Sequence, residues 1–261
     1  MLRRKNAFTL LEQSLVIAIL SIMTASGALY YSNSDFQTKH DETIRRISVV
    51  HNAIIAYYLK NSAAEAIAND IFPCPADPVL EQQHSNYGVA TNNGTTCNLT
   101  SKKNNYFYGV VPVTTLGLPF FYGYDAWGNR FSYVLKYDNV ADILTNWTDA
   151  AMAEKLYMII SHGENGFFAF TKSGAQRKSS NDTNEINNSI NASNYNNISA
   201  YDQTATYDDI VFTVTGSRFM TDLAGGVVPS ESFCKLINAK TYSDNACNML
   251  KNKLLTLCPK Q

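Results

Sequence analysis

Met1-Leu-Arg-Arg-Lys-Asn-Ala7 runs directly into Phe8-Thr-Leu-Leu-Glu12-Gln-Ser14, then into Leu15-Val-Ile-Ala-Ile-Leu-Ser-Ile-Met-Thr-Ala-Ser-Gly-Ala-Leu-Tyr-Tyr31. Arg3, Arg4 and Lys5 precede a stretch, Ser14 to Ser34, with no Asp, Glu, Lys or Arg. As a helix rising ~1.5 Å per residue, residues 8 to 31 extend roughly 36 Å, enough to cross a bilayer core. A charged side chain inside such a segment costs about 2.5 to 3.5 kcal/mol on insertion scales, so Glu12 needs a partner or a role. The basic leader predicts a single pass with a cytoplasmic N-terminus and the body on the far side. An ordinary signal peptide is the competing reading, with Ser26-Gly-Ala28 as its small-residue cleavage site.

The helix is expected to continue over 32–70. Ile44, Ile47, Val50, Ile54 and Tyr57 recur at three- and four-residue steps, with Glu42, Arg45, Arg46 and Lys60 on other faces. That is an amphipathic helix with one side to pack on a domain. Pro73, Pro75 and Pro78 end it. Residues 72–105 read as loop. Apolar or alternating runs at 106–113, 130–137, 156–161, 167–171 and 210–215 then read as strands, with Phe131, Tyr133, Leu135 and Tyr137 sharing a face. Strands so closely spaced suit an antiparallel sheet laid on the N-terminal helix, an α+β fold. The predicted divisions are a leader (1–7), a transmembrane and assembly helix (8–31), its amphipathic continuation (32–70), a domain (71–228) and a tail (229–261). Within the domain, 172–206 is Asn- and Ser-rich and poor in apolar residues. It reads as a flexible surface loop, and residues 179–200 as dispensable for folding.

The 261 residues carry a formal charge of −1, which gives no footprint for nucleic acid. The five cysteines, Cys74, Cys97, Cys234, Cys247 and Cys258, all lie in the exported body, without zinc-type spacing. Disulfides are their expected use. A Cys74–Cys97 bond would close the proline-rich loop. A helix over 246–258 would hold Cys247 and Cys258 too far apart to bond, so Cys234 could pair with either. Ser161 and His162 are adjacent, and neighbours on a strand point to opposite faces. With no nucleophile elbow and no phosphate-binding loop, the chain reads as a non-enzyme.

The N-terminal block resembles that of type IV pilins and type II secretion pseudopilins. The resemblance implies cleavage between Ala7 and Phe8 by a prepilin peptidase, methylation of the new N-terminus, and Glu12 as the fifth mature residue. Ala7 stands where the family usually has Gly. In a helical filament Glu12 of one chain would neutralise the Phe8 amine of a neighbour, and a buried pair of that kind sets register more than it adds stability. Tyr124-Asp-Ala-Trp-Gly-Asn-Arg-Phe-Ser-Tyr133 resembles the Asp-x-Trp-Gly turn and following strand of major pseudopilins. Ile160-Ser-His-Gly-Glu-Asn-Gly166 and Asp208-Asp209-Ile210 are similar to that family's last turn and strand, between which a calcium loop lies.

The resemblance therefore implies a pilin-like α+β fold and a calcium site using Glu164, Asn165, Asp208 and Asp209. Asn165 stands where the family usually has Asp. No other cofactor is implied. The implied role is a structural subunit of a pilus or pseudopilus, in the inner membrane with its body in the periplasm. It would serve either as a type II secretion pseudopilin driving protein export or as a minor type IV pilin acting in adhesion, motility or DNA uptake. Implied partners are further copies and other pilins, the prepilin peptidase and the inner-membrane assembly platform. A membrane-anchored periplasmic protein that never polymerises is the reading from a different class.

Overall fold

A computed structural model describes residues 10–63, 72–92, 97–98, 101–136, 153–204 and 206–225. One helix, α1, runs unbroken over Leu10–Ala63. The chain divides into two compact units, Met1–Glu42 and Thr43–Gln261. The leader, Ala7 and Phe8, the predicted helix end at 64–70, and the tail with Cys234, Cys247 and Cys258 lie outside the described residues.

In the first unit, Leu15, Val16, Ile17, Ile19, Leu20, Ile22 and Met23 are all about half to two-thirds exposed. The polar groups among them turn inward on the helix itself. Ser21 Oγ donates to the Ile17 carbonyl (2.7 Å) and Thr24 Oγ1 to the Leu20 carbonyl (2.9 Å). Such bonds satisfy hydroxyls without solvent. Glu12 lies in the first turn. Among the described residues no helix is long and apolar enough to cross a membrane; the 8–31 block falls partly outside them.

In the second unit the helix has one buried stripe. Ile47, Val50, Ile54 and Ile55 enter the core with Thr43 and His51. Ile44, expected on that stripe, is instead exposed. The stripe packs on an antiparallel sheet, in the order β1 (Lys102–Lys103), β2 (Tyr106–Val110), β3 (Ser132–Lys136), β4 (Lys155–Ser161) and β5 (Ile210–Thr215). Each strand pairs with the next in sequence. The predicted face of Phe131, Tyr133 and Leu135 is buried on the α1 side with Tyr157, Ile159 and Val214. Tyr137 lies outside the described residues.

A helix α3 (Gly216–Gly225) follows β5 and drives Phe219 and Leu223 into the same core. His51 on α1 ties it down, with Nδ1 2.8 Å from Tyr157 Oη and Nε2 3.1 Å from Asp222 Oδ2 on α3. Burial lowers the His51 pKa, against the raising effect of Asp222.

Cys74 and Cys97 are disulfide-bonded, with Cα atoms 5.4 Å apart. The proline-rich loop is also stapled by Arg130. Its guanidinium donates to the carbonyls of Pro78, Leu80 and Lys172 and lies over the Tyr87 ring.

The described residues of 172–204 correct the sequence reading: they form a covering layer on the sheet, where a flexible surface loop is expected. Ala192, Tyr195 and Ile198 are wholly buried against Tyr106, Tyr108, Val134, Met158 and Ile160, the sheet face turned away from α1. A short helix α2 (Thr183–Asn187) and a 3-10 turn (Tyr195–Asn197) carry it. Asp182 and Asn194 cap these turns by accepting from the N–H groups of Asn184 and Asn196. Two lysines from the sheet clamp the backbone. Lys103 Nζ donates to the carbonyls of Ile190 and Ala192, and Lys155 Nζ to those of Asn196 and Ile198. The composition misleads because Asn, Asp and Ser are cap and turn formers, while three well-placed apolar residues suffice to bury the face. Tyr195→Ala should therefore destabilise the domain by roughly 3–5 kcal/mol, the range for losing a buried aromatic ring. Chemical denaturation of the full chain in detergent reads this out. Deleting 179–200 should abolish the cooperative transition.

Candidate metal centre

The segments at 124–133, 160–166 and 208–210 meet at one end of the sheet. Asp125 organises the first turn. It accepts from the N–H groups of Trp127 (3.0 Å) and Asn129 (2.8 Å), from Asn129 Nδ2 (3.3 Å) and from Ser161 Oγ (2.8 Å). Burial raises its pKa, opposed by these bonds. Asn129 Nδ2 then donates to the Gly163 carbonyl at 2.8 Å, fixing the second turn. Gly163 has φ +57°, and a Cβ there would collide with the Asp208 carboxyl. Glycine is required on both counts.

The close approach at Gly163 lets two successive N–H groups, of Glu164 (2.6 Å) and Asn165 (2.9 Å), donate to Asp208 Oδ2. Asn165 Nδ2 donates to Glu185 Oε1 at 2.8 Å, and its Oδ1 accepts from the Phe167 N–H. Asn188 Nδ2 donates to Asp209 Oδ2 at 3.1 Å. Each of the three acids thus has one oxygen held. The other oxygens, Glu185 Oε2, Asp208 Oδ1 and Asp209 Oδ1, are buried without a hydrogen-bond partner. One ligand atom from each acid lies within 4.8 Å of the others.

Of the residues expected here, Asp208 and Asp209 belong to the cluster. The Glu164 side chain is exposed and contributes only its N–H; Asn165 positions Glu185 instead of offering a free oxygen. Glu185 is not among the residues expected from sequence, because it sits on α2 within the Asn- and Ser-rich segment. A signal was present: Asp182-x-x-Glu185 is a helix-start pattern, with Asp182 as N-cap.

Glu185 and Asp209 are buried and Asp208 is half-buried, and like charges this close disfavour full ionisation, which bound protons or a cation would relieve. Burial first, then the charges of Asp209 and Asp208, push the Glu185 pKa up to about 8. Burial likewise raises Asp208. An all-oxygen cluster suits a hard divalent cation, with calcium completing six to eight ligands from carbonyls and water. The three orphaned carboxylate oxygens fit that demand.

Ser161 and His162 point apart: Ser161 goes to Asp125, whereas His162 Nε2 lies 2.9 Å from Ser132 Oγ and His162 Nδ1 3.6 Å from Asp209 Oδ1. The Ser132–His162–Asp209 order resembles a hydrolytic triad, but Ser132 and His162 are wholly buried. A nucleophile with no exposed surface meets no substrate. His162 thus lies between the Ser132 hydroxyl and the acid cluster. Comparison with protein-family models, with curated proteins and with solved structures finds no match.

The raised Glu185 value has a defined sign. The folded chain keeps this proton between about 4.5 and about 8, where the unfolded chain loses it. Stability from this group is thus present below that window and declines as pH rises through it. Thermal melts in chelator should fall from about pH 5 to about pH 8, and millimolar calcium should remove the decline. At a hundred times its dissociation constant the ion adds about 2.7 kcal/mol. Glu185→Gln should raise the chelator melting temperature near pH 8 and shrink the calcium response. Identical pH slopes with and without calcium would leave the acids without a cation role.

Proposed function

We propose that this chain is a pilin-like structural subunit, held in the inner membrane and polymerised through α1 with its body in the periplasm. The observation that carries the reading is the junction of a basic leader with an apolar helix whose fifth residue, counted from Phe8, is Glu12. Two structural features support it. The apolar start of α1 exposes large side chains on all sides, as a segment meant for lipid or other helices does. The same helix continues, without a break, as the stripe that packs on the antiparallel sheet.

Among pilin-like roles, type II secretion pseudopilin is preferred. The stretches that carry that resemblance, distant in sequence, are bonded together around Asp125, Gly163 and Asp208. Divalent-cation binding by Glu185, Asp208 and Asp209 belongs to this reading. The partners are then further pilin-like subunits, the prepilin peptidase and the assembly platform.

Two experiments test it on the full chain in membranes. N-terminal mass spectrometry should find a mature protein beginning at methylated Phe8; a start near Leu29 would identify an ordinary signal peptide. Glu12→Ala should be inserted and cleaved yet give several-fold fewer cross-linked oligomers. A wild-type ladder in that variant would remove the pairing role of Glu12.

A further inference from the structure

The second unit contains an open cavity of about 320 Å³ beside the Asp125 turn. Its floor is set by Arg46 on α1, whose Nη1 donates to the carbonyls of Tyr124 (3.1 Å) and Asp125 (3.0 Å). Lys172 forms the opposite wall, with its ammonium 5.2 Å from the centre of the Tyr124 ring. The Lys172 backbone is pinned, since its carbonyl accepts from Arg130 Nη2 and from the Gln82 N–H. Its ammonium makes no hydrogen bond or ion pair among the described residues.

Among the described residues the one acid in the wall, Asp125, is 1 % exposed and has both oxygens taken by the turn. It therefore offers no accessible negative charge to a ligand. Phe121 stands at the lip, half exposed, and Gln82 adds a neutral amide. A lysine ammonium and an aromatic ring in one wall suit a carboxylate joined to an apolar or aromatic group. The volume is at the low end for ligand sites, enough for one or two side chains.

We propose that this cavity binds a peptide carboxylate, seated on Lys172, whose apolar neighbour packs on Phe121. The proposal goes beyond the filament reading and does not require it. A side-chain carboxylate and a free chain end share this chemistry. Two probes distinguish them: acetyl-Gly-Phe-Glu-Gly-amide, and acetyl-Gly-Gly-Phe with a free carboxylate. Their uncharged counterparts carry Gln for Glu and a terminal amide.

Peptide-observed NMR with the full chain in detergent reads the binding. At least one acid probe should bind, with its uncharged counterpart weaker by about fivefold, the scale of a partly exposed ion pair. Lys172→Gln should erase the difference between acid and neutral probes. Phe121→Ala should weaken both probes without changing that ratio. Neither variant touches the buried core, and an unchanged thermal melt checks that each is folded. No binding by either acid probe, equal binding of acid and neutral probes, or full acid preference in Lys172→Gln would overturn the proposal.

Discussion

A sheet buried on both faces is the constraint on which the rest of this domain depends. Strands β2, β3 and β4 are almost wholly buried along their lengths. Antiparallel sheets commonly leave one face to water. Here α1 covers one face and the Asn- and Ser-rich segment covers the other. A polar chain can do this only if its backbone is held. Lys103 and Lys155 hold it, reaching out from β1 and β4 to its carbonyls. Burial disfavours the charge on Lys155 and lowers its pKa. That loss of hydration is set against two carbonyl contacts at a position where the covering layer would otherwise lift away.

The covering layer has a second consequence. It brings Glu185 beside Asp208 and Asp209, so the acid cluster exists only when the sheet is covered. Asn188, on the same segment, bonds both Asp209 Oδ2 and the Tyr207 hydroxyl. Asp209 faces His162, which reaches Ser132 on β3. A cation that binds the three acids would thereby fasten the covering layer to the last turn and strand. Cation binding would then add to the hold that Lys103 and Lys155 already have on this layer.

Much of this architecture is legible in the sequence, and the exceptions have physical causes. The β3 alternation of Phe131, Tyr133 and Leu135 is a period-two signal, and it sets the face toward α1. The stripe from Ile47 to Ile54 is equally direct, although the neighbouring exposed Ile44 shows that periodicity fixes a face only to within one helical step. The covering segment was illegible because its information lies in a few positions. Asp182 and Asn194 start turns, and Ala192, Tyr195 and Ile198 fill the face. An average over the segment registers only polarity. Glu185 is hidden for the same reason, and the Asn165 amide, expected as a ligand, holds the Glu185 carboxylate.

The two parts of α1 obey different rules, and this bears on where its sequence carries specificity. From Thr43 onward the buried positions are fixed, because the face toward the sheet is a stripe with a set phase. In the first unit, apolar residues from Leu15 to Met23 are exposed on every side, and Ser21 and Thr24 close their hydroxyls on the helix itself. No phase is encoded there, since any rotation presents a similar surface. In the proposed filament such a helix could slide or rotate against its neighbours at little cost. There Glu12 would break that degeneracy. Moving a carboxylate by one turn, about 5.4 Å, would separate it from a neighbouring amine. The separation leaves two unpaired charges, which a low-dielectric surrounding penalises by several kcal/mol. In that filament a single acid would carry the register that the apolar residues cannot.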